Sequence, residues 1–247
     1  MTAPQISIIT PMHNEADNVE GMVRETAEGC AALAPFEMLI VDDGSTDATV
    51  ARAEALQSEF PWLRIIQHKK ACGQSSAVLS GVKAARAPIC ATLDGDLQNP
   101  PAEVPKLVKP LMADQTGRVG LVAGQRIKRM DTNSKRLASR AANTLRAWVL
   151  KDDTRDTGCG AKAFRRDVFL LLPFFDHIHR YLPALVKREG YEVILVDVED
   201  RSRVAGTSNY TNLHRAIVGA SDLFGVWWLM RRRKLPVVSE RGHSDAS

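Results

Sequence analysis

Through its first hundred residues the chain alternates short apolar, β-rich runs with segments of helical period, and each apolar run closes on a polar loop. Ile6–Ile9 reads as a strand ended by Pro11. Asp17–Leu33 reads as a helix with Val19, Met22, Val23 and Ala27 on one face. Strands at Phe36–Val41, Leu63–Gln67 and Pro88–Leu93 are separated by helical patterns at Ala48–Gln57 and Gln74–Ala85. Strands and helices in alternation at this spacing predict βαβ units, and so an α/β fold with a mostly parallel central sheet flanked by helices.

Beyond Pro100-Pro101 the pattern loosens. A helix is predicted near Glu103–Met112, a strand at Gly120–Ala123, a basic amphipathic helix at Lys135–Val149 and a polar loop at Lys151–Gly160. A strand at Tyr191–Val198, a last helix over Asn212–Met230 and a mobile polar tail from Leu235 complete the reading. With no repeat or linker dividing the 247 residues, a single domain is expected. A hydrophobic content of 45% excludes wholesale disorder. The four cysteines stand far apart, with no C-x-x-C, so buried reduced thiols are expected rather than a zinc site or a disulfide framework. No basic, apolar leader precedes Gln5, and the longest apolar stretch, Ala216–Met230, is interrupted by Ser221 and Asp222; neither a signal peptide nor a membrane span is expected.

In an open α/β sheet, ligands bind beyond the carboxyl ends of the strands. Three polar loops fall there: Pro11-Met-His-Asn-Glu15, Asp42-Asp-Gly-Ser45 and Asp94-Gly-Asp-Leu-Gln98. No G-x-G-x-x-G follows the first strand and no Walker lysine motif exists, so the dinucleotide and P-loop readings fail. Carboxylates suit ribose hydroxyls, base N–H groups and a hard cation. Asp94-Gly95-Asp96 has the ingredients for Mg2+ or Mn2+ together with a diphosphate. Asp42-Asp43-Gly44-Ser45 also reads as an ordinary turn with a helix cap at Ser45 or Thr46. Basic residues supply the other half of a phosphate site: Arg126, Lys128 and Arg129 after a strand, Lys135, Arg136 and Arg140 along one helix, and Arg201 and Arg203 after another strand.

Thr10-Pro-Met-His-Asn-Glu15, Val41-Asp-Asp-Gly-Ser-Thr46 and Leu93-Asp-Gly-Asp-Leu-Gln-Asn-Pro-Pro101, in that order, resemble the family 2 glycosyltransferases with the GT-A (Rossmann-like) fold. Within them the chain is most similar to the polyprenyl-phosphate sugar synthases, of the dolichol-phosphate mannosyltransferase kind, over residues 5–234. The resemblance implies that Pro11, Asn14, Glu15 and Asp43 hold the nucleoside, and that Asp94 lies near ribose and sugar. It implies Asp96 and Gln98 as metal ligands and Arg126 and Arg203 as phosphate contacts. Lys135 and Ser139 match a segment that handles acceptor or donor phosphate; with Asp96 and Arg203 they form the implied catalytic set. Thr157–Gly160, His179–Pro183 and Arg203–Ser208 match the same subgroup, although Asn209 stands where members often carry Lys.

Relatives that glycosylate hydroxyls carry a Glu-Asp pair before an Arg-x-x-Gly-Tyr-type segment. Here that segment is Lys187-Arg-Glu-Gly-Tyr191, and His179-Arg180 stands upstream. The resemblance therefore implies an acceptor that needs no base. A phosphate monoester, with a second pKa of about 6, is already a nucleophilic anion, and Arg136, Arg140, His179 and Arg180 are expected to hold it. The activity implied is inverting transfer of a hexose from a nucleotide-diphosphate sugar (GDP-mannose or a UDP-sugar) to a polyprenyl phosphate, with Mg2+ or Mn2+. Transfer to a hydroxyl with Asp176 as base, and a catalytically silent nucleotide-sugar-binding scaffold, are the alternatives.

Charge is concentrated at the end of the chain: residues 201–247 hold eight basic against three acidic side chains, within a net charge of +4. The total is too modest for a nucleic-acid partner. Leu223–Met230 followed by Arg231-Arg-Arg-Lys234 places aromatics beside cations, the composition of a segment resting on anionic lipid headgroups or of a core helix with a basic stop. Accordingly residues 1–212 are expected to form the catalytic domain, 213–234 an interfacial helix and 235–247 a tail. The protein is expected on the cytoplasmic face of a membrane, peripherally, with a homo-oligomer or membrane partner as further possibilities.

Overall fold

The computed structural model describes residues 3–33, 35–127, 146–150, 152, 154–201 and 212–234, the backbone alone over 212–217. Expected features at Lys135, Arg136, Ser139, Arg140, Arg203 and in the C-terminal tail lie outside the described residues.

Among the described residues, seven strands form one sheet in the order β3-β2-β1-β4-β6-β5-β7. These are β1 (Ile6–Met12), β2 (Phe36–Asp42), β3 (Leu63–Gln67), β4 (Ile89–Thr92), β5 (Val119–Arg126), β6 (Lys162–Arg165) and β7 (Glu192–Val198). Every neighbouring pair is parallel except those of β6, which runs antiparallel to both β4 and β5. The apolar runs are nearly continuous because both faces are covered, as a parallel sheet requires. Ile6, Ile8, Met38 and Ile40 face α1 (Ala16–Gly29), α2 (Thr49–Leu56) and α4 (Val104–Ala113). Ile9, Leu39 and Val41 face α3 (Gln74–Ala84), with α5 (Arg166–Leu171), α6 (Leu182–Arg188) and α7 (Asn212–Arg232) on the same side. Helix α3 lies directly on β1: a Cβ on Gly81 would stand 2.4 Å from Cγ2 of Ile9.

The sequence expectation differs from the structure at several points. The helix predicted to Leu33 ends at Gly29, and a separate 3-10 turn follows at Ala31–Leu33. Gly29 is pressed against the Pro101–Ala102 backbone, where a Cβ would come within 2.7 Å of Ala102 N, and the Cys30 thiol turns in toward the Pro101 carbonyl. Neither Ser45 nor Thr46 caps α2. The Asp47 carboxylate accepts from Thr49 N at 2.9 Å and from Ala16 N at 3.2 Å instead. The polar stretch after residue 151 is a loop as read, and much of it is buried because its polar groups are paired: Arg146 with Asp152, and Arg126 with Asp156. Cys30, Cys90 and Cys159 are buried free thiols as read, whereas Cys72 is exposed.

Helix α7 packs on the domain through buried Val226, an Arg188 Nε–H bond to the Leu229 carbonyl (3.0 Å) and an Arg233–Glu189 ion pair (2.6 Å). Its other side leaves Phe224 and Trp228 66% and 48% exposed, with Arg231 and Arg232 stacked over Trp227 and Trp228. Among the described residues no helix is long and apolar enough to cross a membrane.

Candidate active site

The chain runs outward from β1 through β2 to β3, then returns to add β4 on the other side of β1. The order in which strands are added therefore reverses between the parallel neighbours β1 and β4, and the crevice beyond their carboxyl ends is the favoured ligand site of such a fold. A cleft of about 220 Å3 occupies it, with Pro11, His13, Glu15, Asp43, Asp94 and Asp96 in its wall. Three loops spread over some eighty residues of sequence thus converge, as the strand order dictates.

The first two loops are knitted together. Asn14 takes a left-handed conformation (φ 55°), a position that asparagine tolerates, and its side-chain oxygen accepts from Thr46 N at 2.8 Å. Its own N–H bonds to Ser45 Oγ at 2.9 Å, and Glu15 N to Thr49 Oγ1 at 2.9 Å. Glu15 also accepts from Asn18 Nδ2 at 2.5 Å. Asn14 is thereby a loop clamp beside the cleft. Glu15 faces the cleft itself.

Asp43 is held by the chain after β3. It accepts from Cys72 N (2.8 Å) and Gly73 N (2.7 Å) and lies 2.7 Å from His68 Nδ1, whose other nitrogen meets Ser80 Oγ at 2.8 Å. Burial alone would raise its pKa, but these hydrogen bonds and the His68 contact outweigh burial and hold the carboxyl below its ordinary range. Gly44 permits the close approach: it has φ 70°, and a Cβ there would lie 2.6 Å from the Lys70 carbonyl carbon. Asp43, His68 and Cys72 bring potential ligand atoms within 4.8 Å of one another. Since Asp43 and His68 already spend their polar atoms on each other and on the loop, the trio acts as a clamp on the cleft rim.

Asp94 and Asp96 stand on the turn after β4. Asp94 Oδ1 accepts from Gln74 Nε2 at 2.7 Å, and Asp96 Oδ1 from Gln98 N at 3.1 Å. Burial first, and then the neighbouring Asp96 charge, push Asp94 up to about 6, against the opposing influence of Lys162, Arg126 and Gln74. Two poorly hydrated hard-oxygen donors that repel each other are a fitting seat for a divalent cation. Gln98 sits beside this turn, its carbonyl accepting from Arg201 N at 2.8 Å, but it does not line the cleft.

Of the expected cations, Arg126 ends β5 and is gripped by Asp156 through Nε (2.5 Å) and a terminal nitrogen (3.0 Å); its charge still reaches Asp94. His179 is part-buried against α3, with Nδ1 2.9 Å from Ser75 Oγ. Burial, then the charges of Lys162, Arg180 and His177, depress its pKa well below the ordinary histidine value, so the ring is neutral where the sequence suggested a cation. Arg180 lies beside it on a 3-10 turn, Ile178–Arg180. Asp176 is exposed and lies near the loop that clamps Asp43, its Oδ1 3.6 Å from where a Cβ on Gly73 would stand.

Three residues of the site escaped the sequence reading: Gln74, His68 and Lys162. Lys162 is buried among the wall residues of a second, smaller hollow directly behind Asp94. The one signal that could have revealed it is a lone charge inside the apolar run Ala161–Phe164.

The sequence profile described as Glycosyl transferase family 2 matches residues 7–172. The dodecaprenyl-phosphate galacturonate synthase of Rhizobium johnstonii is 30% identical over 94% of this chain and 69% of its own length. The undecaprenyl-phosphate 4-deoxy-4-formamido-L-arabinose transferase of Sodalis glossinidius is 32% identical over 85% of this chain. This chain spans 65% of that second relative, and 63% of the Pectobacterium carotovorum protein of the same name. Glucosyl-3-phosphoglycerate synthase from Mycobacterium tuberculosis, solved with Mn2+, UDP and glucosyl-3-phosphoglycerate, superposes with a TM-score of 0.67 at 19% identity, over 93% of this chain and 80% of that one. The likeness to that structure establishes a shared fold.

Proposed function

The chain belongs to glycosyl transferase family 2, and we propose that it moves a hexose from a nucleotide-diphosphate sugar to a polyprenyl phosphate with inversion at the anomeric carbon. The observation that carries the reading is the convergence of Asp43, Asp94 and Asp96 in one cleft at the reversal point of the sheet. The names of the relatives, a galacturonate synthase and a formamido-arabinose transferase acting on polyprenyl phosphates, supply the acceptor class.

In this reading Pro11, Glu15 and Asp43 receive the nucleoside, with Asn14 fixing their loop. Asp94 receives hydroxyls of ribose and sugar. Asp96, with Gln98 beside it, holds Mg2+ or Mn2+, which when bound offsets the charge gathering on the departing diphosphate. Arg126, and Arg203 farther along the chain, attend the donor phosphates. Lys135, Arg136, Ser139, Arg140 and Arg180 attend the acceptor, with His179 as a neutral hydrogen-bonding group. The lipid phosphate oxygen forms its bond to the anomeric carbon as the bond to the nucleoside diphosphate breaks. No proton has to be removed, because the phosphate is already anionic at neutral pH.

Residues 1–212 would be the catalytic domain and 213–234 the interfacial helix, with 235–247 a tail. The exposed pair Phe224 and Trp228 beside Arg231 and Arg232 supports peripheral attachment to anionic lipid, on the cytoplasmic face where a nucleotide sugar is supplied.

The test is incubation with labelled UDP- and GDP-sugars, Mn2+ and undecaprenyl phosphate, scoring label that enters organic solvent. Transfer by the wild-type protein, with loss in Asp96→Ala, is expected; label entering only water-soluble saccharide overturns the acceptor assignment. That second outcome belongs to a hydroxyl-acceptor reading, which the position of Asp176 beside the Asp43 clamp favours. It would be accompanied by a collapse in rate for Asp176→Asn.

A further inference from the structure

Lys162 opens β6, the one strand that runs against its neighbours, and pairs with Thr92 of β4 on one side and Ala123 of β5 on the other. It is only 2% exposed and is among the largest side chains buried in the molecule. An ammonium is rarely placed so deep without a partner. One of its N–H groups goes to the Cys159 carbonyl. The rest of its surroundings are the wall of the hollow behind Asp94, shared with Gln74, Thr92, Gly160 and His179. The hollow measures about 20 Å3, room for about one water. No bulkier occupant fits. Burial pulls the Lys162 pKa below its ordinary value, while Cys159, Asp94 and Asp156 pull the other way and favour the ammonium; in that charged form it is a cation lodged behind Asp94.

Asp94, with Pro11 and Gln74, forms the partition between this hollow and the open cleft: all three line both. On its cleft side stands the Asp96 carboxylate, which repels it; on its inner side stands Lys162, which attracts it. Gly160, two residues before Lys162, makes the arrangement possible, since a Cβ there would lie 2.2 Å from the Asp94 carboxyl carbon. The neighbouring His179 ring is neutral and adds no competing cation.

We infer that Lys162 is a positioning residue: its buried ammonium holds the Asp94 carboxylate in place from behind, against the charge of Asp96, so that Asp94 presents its oxygens to the hydroxyls of the donor. The inference rests on the donor-site reading above. The positive charge of Lys162 acts on substrate only through Asp94. Lys162→Met, which keeps the length of the side chain and removes its charge, should then lose what Asp94→Asn loses.

The experiment is a double-mutant cycle on wild type, Lys162→Met, Asp94→Asn and the double variant. It is read by calorimetric binding of UDP-glucose, GDP-mannose and the matching nucleoside diphosphates, and by kcat and KM for transfer. Each single variant should weaken nucleotide-sugar binding or kcat/KM by about tenfold or more, and the double variant should be no worse than Asp94→Asn alone. Losses that multiply in the double variant refute the positioning role and leave Lys162 a structural cap of the Cys159 carbonyl. Unfolding midpoints are measured alongside; if Lys162→Met does not fold, Lys162→Gln replaces it in the same cycle under the same criterion. A wild-type protein that binds none of the nucleotides refutes the donor-site reading itself, an outcome separate from multiplicative losses on a working site.

Discussion

Replacing Gly160 by alanine isolates the placement of Asp94 from every other property of the site. An added Cβ would stand 2.2 Å from Asp94 Cγ and 2.3 Å from each carboxylate oxygen. Ordinary contact begins near 3.4 Å, so the carboxyl must retreat by more than about 1 Å. The backbone at Gly160 is not left-handed, and alanine is therefore not strained there. The retreat breaks the 2.7 Å bond from Gln74 and drives Asp94 toward Asp96. Crowding of this kind costs roughly 1–3 kcal/mol of stability. Misplacing a substrate-positioning group by about 1 Å costs on the order of 100-fold in rate. Gly158 is the matched control two residues earlier, where a Cβ would meet Arg126 and Asp156 at 3.4 and 3.5 Å, which is tolerable contact. Steady-state sugar transfer and urea unfolding of both variants form the assay. Gly160→Ala should remain folded with turnover down about 100-fold, and Gly158→Ala should stay within about threefold of wild type. Near-normal turnover in Gly160→Ala, or equal damage in both variants, would refute the assigned role of Asp94.

The elevated pKa of Asp94 has a thermodynamic signature. A carboxyl raised from 3.8 to about 6 in the fold keeps its proton there longer than in the unfolded chain, so its contribution to stability is lost as pH rises through that window, by about 3 kcal/mol at most. Metal-free wild type should therefore unfold more easily at pH 7.5 than at pH 5, by a margin absent in Asp94→Asn, and Mn2+ should restore more stability at the higher pH. Equal pH slopes in the two proteins, measured by urea unfolding, would contradict this. At the other end of the molecule, the double variant Phe224→Ser, Trp228→Ser should cease to co-sediment with vesicles containing phosphatidylglycerol; binding that persists undiminished would remove the exposed face of α7 as the contact.

The acidic wall of the candidate cleft was legible because its residues lie at strand ends. Asp43, Asp94 and Asp96 each follow an apolar run at once, and the parallel order alone brings those ends together. The strand Leu63–Gln67 was readable to its last residue for the same reason. Strand β6 was not: four residues with a base at each end, Lys162-Ala-Phe-Arg165, carry too short a pattern, and antiparallel insertion breaks the alternation that made the first half regular. The helices α5 and α6, six and seven residues long, are as brief. Gln74, His68 and Lys162 reach the site from a helix start, a strand end and a strand start distant in sequence, so only tertiary packing reveals them. The neutrality of His179 likewise follows from burial beside Lys162, which no local pattern encodes.

The carboxylates at this edge of the sheet divide into two kinds, and the division explains what the cleft can accept. Asp42 and Asp43 are satisfied by the protein: backbone N–H groups of Ser45, and of Cys72 and Gly73, hold them, with His68 adding to Asp43. They stiffen two loops and need no further ion. Asp94 and Asp96 remain in mutual repulsion across Gly95, offset from behind by Lys162 and Arg126. A bare nucleoside diphosphate brings more negative charge to that pair and is disfavoured, whereas the same diphosphate paired with a divalent cation relieves it. Under the proposed function the turn after β4 therefore favours the cation-bound donor, and the positioning role inferred for Lys162 sets how much of the repulsion the ligand relieves.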